Sequence, residues 1–250
     1  MTPAVRPLVA VSTKAYFSKN QNRLWMTKVA SSPVLNRNGN VDVAVIPSFP
    51  FLAESRRILS DTQVLLGAQN VAMSESGAQT GEVRASVLSD MGCTFCEVGH
   101  AERRALFGES DQVIAKKVLS AVAEGMVPII CVGETENVST SQAQKICVEQ
   151  VKAACGATGL EELVVAYEPI WAIGATEAAS PTHISAVAEA LHEQLSGMPS
   201  LLRVIYGGTA GPGLISQLSH AVDGLFLGRL AHKVSGFEQV VNETEARVLR

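Results

Sequence analysis

No stretch of this sequence approaches the roughly 20 consecutive apolar residues of a membrane helix, although 47% of its 250 residues are hydrophobic. The opening run MTPAVRPLVAVSTK has no apolar core of signal-peptide length, so a soluble, cytoplasmic protein is expected. Strong charge of either sign is also missing. Only 18% of residues are charged and the formal net charge is -4, which leaves nothing to neutralise a phosphate backbone, and a nucleic-acid partner is not expected. Five cysteines are too few, and odd in number, for a disulfide framework. Cys93 and Cys96 do form a C-x-x-C, but they fall where a strand is beginning, away from a helix N-terminus that would activate a thiol, and no second pair of metal ligands follows. Inert thiols and no metal site are the expectation. Linkers rich in Pro or Ser, low-complexity tracts and charge blocks are absent as well, so residues 1–250 read as a single domain.

What is present is an alternation. Short apolar runs occur at Leu8–Val11, Val41–Ile46, Val64–Ala68, Phe95–Val98, Pro128–Val132, Val164–Tyr167, Arg203–Tyr206 and Gly224–Leu227. Most are continuous rather than polar-alternating, as in parallel strands covered on both faces. Between them lie helical segments such as Asp111–Gly125, with Gly125 as its stop, and Pro181–Leu195, opened by Ser180 as N-cap. This predicts an α/β protein with a βα alternation throughout. Periodicity does not separate a closed barrel from an open doubly wound sheet, but G-x-G-x-x-G is missing after the first strand.

The loops decide. Polar clusters stand at strand ends, where parallel α/β folds place ligands: EVGHAERR at 97–104, AYEPIWAIG at 166–174 and YGGT at 206–209, with GAQN at 67–70 and GAQTGE at 77–82 upstream. Together, in this order and over nearly the whole chain, these resemble the triosephosphate isomerase family. The resemblance implies a single (β/α)₈ barrel that moves a proton between adjacent carbons of a small phosphorylated sugar, with no metal or organic cofactor.

Glu168 closes a strand and is followed by Pro169 and Trp171. A carboxylate shielded from water there gains basicity, which suits abstraction of a carbon-bound proton. His100 precedes Glu102-Arg103-Arg104 at the opening of a predicted helix, whose N-terminus disfavours imidazolium and favours a neutral N–H donor to a substrate carbonyl; the family is itself the reference case for that effect. His183, His192, His220 and His232 keep an ordinary structural reading. By resemblance, Lys14 faces the phosphate and carbonyl oxygen and pairs with Glu102. Residues 171–179 resemble the family's mobile lid, which would protect an enediolate phosphate from losing its phosphate group. The amides of Gly174, Gly207, Gly208, Thr209, Gly228 and Arg229 would form the phosphate cradle.

The pattern breaks in places. Where the family has Asn-Trp-Lys-Met-Asn this chain has Ser12-Thr13-Lys14-Ala15-Tyr16, a Gly-Gly is Gly228-Arg229, the lid's hinge is Glu177-Ala178-Ala179, and Thr209 replaces a serine. Arg229 either turns outward or reshapes the phosphate end of the pocket. The Gly-Arg pair resembles a side branch that isomerises four-carbon ketose phosphates such as erythrulose phosphate, so both a triose and a tetrulose phosphate stay open as substrates. The alternative is a phosphate-binding barrel without catalysis, serving as sensor or scaffold. The segment Gly77–Glu82 matches the family's loop that inserts into a neighbouring subunit, which implies a two-fold homodimer with Thr80 near the partner's 12–14 region.

Overall fold

The computed structural model describes residues 5–156, 160–176 and 178–249. Its strands are β1 (Leu8–Ser12), β2 (Asp42–Ile46), β3 (Leu65–Ala68), β4 (Cys93–Val98), β5 (Val127–Val132), β6 (Leu160–Tyr167), β7 (Pro199–Tyr206) and β8 (Gly224–Leu227). Each pairs in parallel with the next, and β8 returns to β1, closing the barrel. Helices α1 (Lys19–Ala30), α2 (Leu52–Ile58), α3 (Ala85–Asp90), α4 (Ala101–Phe107), α5 (Asp111–Ala123), α6 (Thr140–Cys155), α7 (Pro181–Gln194) and α8 (Val234–Val248) pack around it. This is a TIM (β/α)₈ fold.

The alternation expected throughout fails once. Between β7 and β8 the described chain holds only the 3₁₀ turn Ile215–Gln217. The connection carries Gly207, Gly208, Gly211, Pro212 and Gly213, residues that weaken or block an α-helix. Conversely, α4 and α5 both lie between β4 and β5. β6 and β7 each begin four residues before the predicted runs, and β4 begins at Cys93. Both cysteines of the C-x-x-C are therefore buried strand residues, and burial pushes the Cys93 thiol up to about 12 and Cys96 higher still. Among the described residues no helix is long and apolar enough to cross a membrane.

Side chains alternate between the two sides of a strand, and this sorts the barrel. Leu8, Ala10, Ala44, Ile46, Phe95, Ile129, Cys131, Val164, Ala166, Ile205 and Phe226 form one buried cluster, the filling of the ring. Val9, Val11, Val43, Val45, Cys96, Val98 and Val165 join the helices in a second, outer layer. Extending the inward rows by two residues gives Ser12 after Ala10, Glu97 after Phe95, Glu168 after Ala166, Gly207 after Ile205 and Gly228 after Phe226. One parity thus packs the barrel and aims these residues into its carboxyl-end mouth. Deeper in the ring, Arg203 lies two residues before Ile205 in the same row. Its guanidinium pairs with Asp42 at 2.9 Å and with Glu162, and sits 5.4 Å over the Phe95 ring, so the buried cation is compensated.

The seam between β8 and β1 depends on Gly224. It adopts φ +150°, and a Cβ there would lie 1.9 Å from the Leu8 carbonyl oxygen, its register partner across the seam. Gly224→Ala is expected to cost about 3 kcal/mol or more, lowering the melting temperature by about 6–12 °C in a chain of this size. A thermal melt within about 2 °C of the wild type would contradict this account of barrel closure.

Candidate active site

At the carboxyl ends of the strands lies a cavity of about 370 Å³. Ser12, Lys14, His100, Glu102, Glu168, Gly174, Gly207, Gly208, Thr209, Gly228 and Arg229 all line it, together with Glu97, Tyr16, Ile173, Ala175 and Leu230. Every residue singled out from the sequence as a candidate for the site is therefore brought to one place. Glu177, the first residue of the hinge reading, lies outside the described residues.

Lys14 stands two residues beyond β1 with φ +46°, the one non-glycine residue of positive φ among those described. Its carbonyl oxygen accepts from Ser48 Oγ at 2.5 Å and from Gln69 Nε2 at 3.1 Å, and Gln69 Nε2 also donates to the Ile46 carbonyl at 3.0 Å. Two neighbouring loops thus hold the strained backbone in place. The ammonium donates to Glu102 Oε1 at 2.8 Å. Burial alone would lower the Lys14 pKa, but Glu102, Glu168 and Glu97 around it outweigh that and the pKa is raised. Lys14 stays charged.

His100 is the N-cap of α4, and its Nδ1 accepts the Glu102 backbone N–H at 3.1 Å. An accepting Nδ1 leaves the ring proton of the neutral tautomer on Nε2, and Nε2 lies 3.5 Å from Glu168 Oε2. Burial, and then the Lys14 cation, push the His100 pKa down to about 4, with Glu102 opposing. The imidazole is a neutral donor at physiological pH.

Glu168 follows β6 directly, and its backbone N–H donates to the Val132 carbonyl at 2.7 Å. It is buried, and its Oε2 has no hydrogen-bond partner among the described residues. Burial first, then the Glu97 charge, raise its pKa to about 8 against the opposing Lys14. Gly207 stands against it: a Cβ there would lie 2.7 Å from Glu168 Cγ, so any side chain would displace the carboxylate. Glu97 is likewise buried and is raised to about 7, burial again leading, with the Ser12 hydroxyl and Lys14 pulling the other way.

The segment after β6 is tied to the loop after β7. Thr209 Oγ1 donates to the carbonyls of Ala172 at 2.9 Å and Ala175 at 3.1 Å, and the Ala179 N–H donates to the Tyr206 hydroxyl at 3.2 Å. Arg229 does not turn away. Its Nη2 lies 3.7 Å from where a Cβ on Gly174 would stand, and among the described residues its guanidinium pairs with no carboxylate. This cation, unpaired among the described residues, faces the cavity beside several glycine amides, while Glu97, Glu102, Glu168 and a neutral imidazole crowd the other end. Such a chamber suits an anionic group at one end and proton transfer at the other.

A family model described as triosephosphate isomerase matches residues 7–244. The chain belongs to the triosephosphate isomerase family. An L-erythrulose-1-phosphate isomerase of Pectobacterium atrosepticum is 42% identical over 244 residues, covering 94% of each chain. A triosephosphate isomerase of Hahella chejuensis is 37% identical over 97% of this chain and 99% of its own, and one of Thermus thermophilus 36% identical over 93% and 96%. The chain is thus an isomerase-type TIM-barrel enzyme. Within the family's motifs some site residues went unassigned in the sequence. Glu97 opens EVGH and Gln69 sits in GAQN, so the strings were visible, but the inward parity of Glu97 and the reach of Gln69 to Lys14 emerge only once the strands are in register.

The raised Glu168 pKa has a sign that can be tested. Ionising this carboxylate costs folding free energy as pH rises from the ordinary carboxylate value towards about 8. Glu168→Gln removes that cost, so its melting temperature relative to the wild type is expected to climb between pH 4.5 and 8 and then level off. Any activity that requires an ionised Glu168 should rise in kcat/KM over the upper part of the same interval, with no limb from His100, which is already neutral. A flat melting difference across that interval would refute the assignment of a buried, proton-retaining Glu168.

Proposed function

We propose that this enzyme moves a carbonyl group to the adjacent carbon of a small ketose phosphate through an enediolate, with Glu168 as base. The observation that carries the reading is the 3.5 Å approach of the buried Glu168 carboxylate to the Nε2 of a neutral His100. Glu168 removes the proton from the carbon beside the carbonyl; the C–H bond breaks, a C=C bond forms, and negative charge collects on the carbonyl oxygen. The Nε2–H of His100 and the ammonium of Lys14 stabilise that oxygen. Glu102 holds Lys14 in position at 2.8 Å. The hydroxyl proton on the reacting carbon passes to the former carbonyl oxygen, Glu168 returns its proton to the former carbonyl carbon, and the C=C electrons form the new C=O on the reacting carbon, with no metal or organic cofactor taking part. The amides of Gly174, Gly207, Gly208, Thr209, Gly228 and Arg229 cradle the phosphate.

The substrate we favour is a four-carbon ketose phosphate of the L-erythrulose 1-phosphate kind. In that compound, as in dihydroxyacetone phosphate, the phosphate-bearing carbon adjoins the carbonyl, and the reacting carbon lies on the other side. The difference is one hydroxymethyl group on the reacting carbon. Ser12, where the family pattern has the longer Asn, supports the larger molecule: it leaves space at the Lys14 end of the cavity and offers a buried hydroxyl. The 42% identity with the L-erythrulose-1-phosphate isomerase points the same way. Arg229 adds a charged grip at the phosphate end.

Purified enzyme in deuterated solvent should exchange the proton on the reacting carbon of either ketose phosphate, faster for the tetrulose. Glu168→Ala should slow this by about 10²- to 10⁴-fold. Ser12→Asn should shift the kcat/KM ratio towards the triose by about tenfold, and Arg229→Gly should raise KM for both by about tenfold or more. Rapid triose turnover beside none of the tetrulose would reject the substrate, and binding without any exchange would reject the isomerase in favour of a sensor.

We also propose a two-fold homodimer through Gly77–Glu82, with Thr80 near the partner subunit's 12–14 region. The loop is closed at its neck by Ala72 N–H to the Val83 carbonyl at 2.8 Å, and Thr80, Gly81 and Glu82 are exposed. Sedimentation of the active enzyme should give twice the chain mass. An active monomer would rule this out.

A further inference from the structure

Behind the base lies a buried polar chain that the proposed reaction does not use. Glu134, 1% exposed, accepts the Trp171 indole N–H at 2.8 Å and contacts the Tyr167 hydroxyl at 3.0 and 3.3 Å through its two oxygens. His183 Nε2 lies 2.9 Å from the Tyr167 hydroxyl oxygen and 3.4 Å from Glu134 Oε1, and its Nδ1 lies 3.0 Å from Thr140 Oγ1. No Lys or Arg pairs with Glu134 among the described residues. An indole nitrogen only donates and a carboxylate only accepts. The Tyr167 proton therefore goes to Glu134, and its oxygen is left to accept from His183 Nε2–H. In the tautomer that carries its proton on Nε2, Nδ1 then accepts from the Thr140 hydroxyl. Read this way, Thr140, His183, Tyr167 and Glu134 form one directed chain, with Trp171 feeding the same carboxylate.

The chain brackets the base. Tyr167 immediately precedes Glu168, and Trp171 lies in the 3₁₀ turn Ile170–Ala172 that leads to the cavity-lining residues Ile173, Gly174 and Ala175. His183 itself does not line the cavity. It is fixed from the other side, at the start of α7, where its backbone N–H donates to the N-cap Ser180 Oγ at 3.3 Å, and its ring stands edge-on to Trp171 with centroids 6.3 Å apart. Its distance in sequence from Glu134 and Thr140 is what makes it a tie between α6, α7 and the base-bearing strand.

We propose that His183 is a positioning residue: through Tyr167, Glu134 and Trp171 it fixes Glu168 and holds the 170–175 turn over the cavity. The inference rests on the isomerase reading above. Without the ring, the Tyr167 oxygen and Thr140 hydroxyl lose their partner and the turn loosens. Water then reaches the enediolate, and a competing path opens in which the carbon–oxygen bond to phosphate breaks, the electron pair leaves with inorganic phosphate, and the remaining enol becomes an α-dicarbonyl.

The test compares His183→Ala and His183→Gln with the wild type, measuring kcat, KM and inorganic phosphate released per isomerisation. In His183→Ala, kcat is expected to fall about tenfold with KM within about twofold, and phosphate release per turnover to rise about tenfold. His183→Gln, whose amide nitrogen can donate where Nε2 does, should recover most of both. Wild-type kcat and release ratio in His183→Ala would overturn the proposal, as would equal losses in both variants with an unchanged release ratio. A wild-type chain that isomerises neither ketose phosphate overturns the isomerase reading and this role with it, whereas an active wild type beside an unaffected alanine variant overturns this role alone.

Discussion

Two carboxylates, Glu97 and Glu168, are kept out of water at the same mouth of the barrel, and the rest of the site is arranged around that burial. Removing solvent from a carboxylate disfavours its charge, which is why both pKa values rise. The same dryness lowers the His100 pKa and makes the Lys14 ammonium dependent on Glu102. A hydrated pocket would relax these shifts together. The barrel supplies the dryness cheaply: the parity that fills its interior with Leu, Ile, Val and Phe delivers Ser12, Glu97 and Glu168 at the end of the same inward rows.

Much of this was legible in the residues themselves. Continuous apolar runs located the strands to within a few residues, and the clusters around His100, Glu168 and Gly207 named the site because each is a short string whose members act close to where they stand. What escaped the sequence has the opposite character. The missing helix between β7 and β8 follows from several glycines and a proline whose joint effect outweighed the alternation. Glu97 needed a strand register, and Gln69 needed the fold to bring β3's loop over Lys14. His183 read as an ordinary helix histidine because its partners, Thr140, Glu134 and Tyr167, are scattered over other elements.

The end of the cavity lined by glycines and Arg229 is built differently. Backbone amides at glycines bind an anion through fixed dipoles, with little dependence on side-chain order. Arg229 adds a permanent charge to that arrangement, close to Gly174 on the facing segment. An anion between them would touch both β8's loop and the turn after β6, so binding and covering of the chamber become one event. Thr209 and Tyr206 already tie the segment after β6 to the end of β7 and its loop.

The contacts that fix Lys14 and the polar chain beside Glu168 share no member. Lys14 is held by Ser48, Gln69 and Glu102, all before β5. The polar chain of Glu134, Thr140, Tyr167, Trp171 and His183 that adjoins Glu168 comes wholly after β5. Across that divide His100 Nε2 stands 3.5 Å from Glu168 Oε2, and the charges of Lys14 and Glu97 act on the same carboxyl group. A chain cut between α5 and β5 would therefore leave each brace whole on its own fragment, and recovered turnover would report the rejoining of two half-barrels rather than the repair of either.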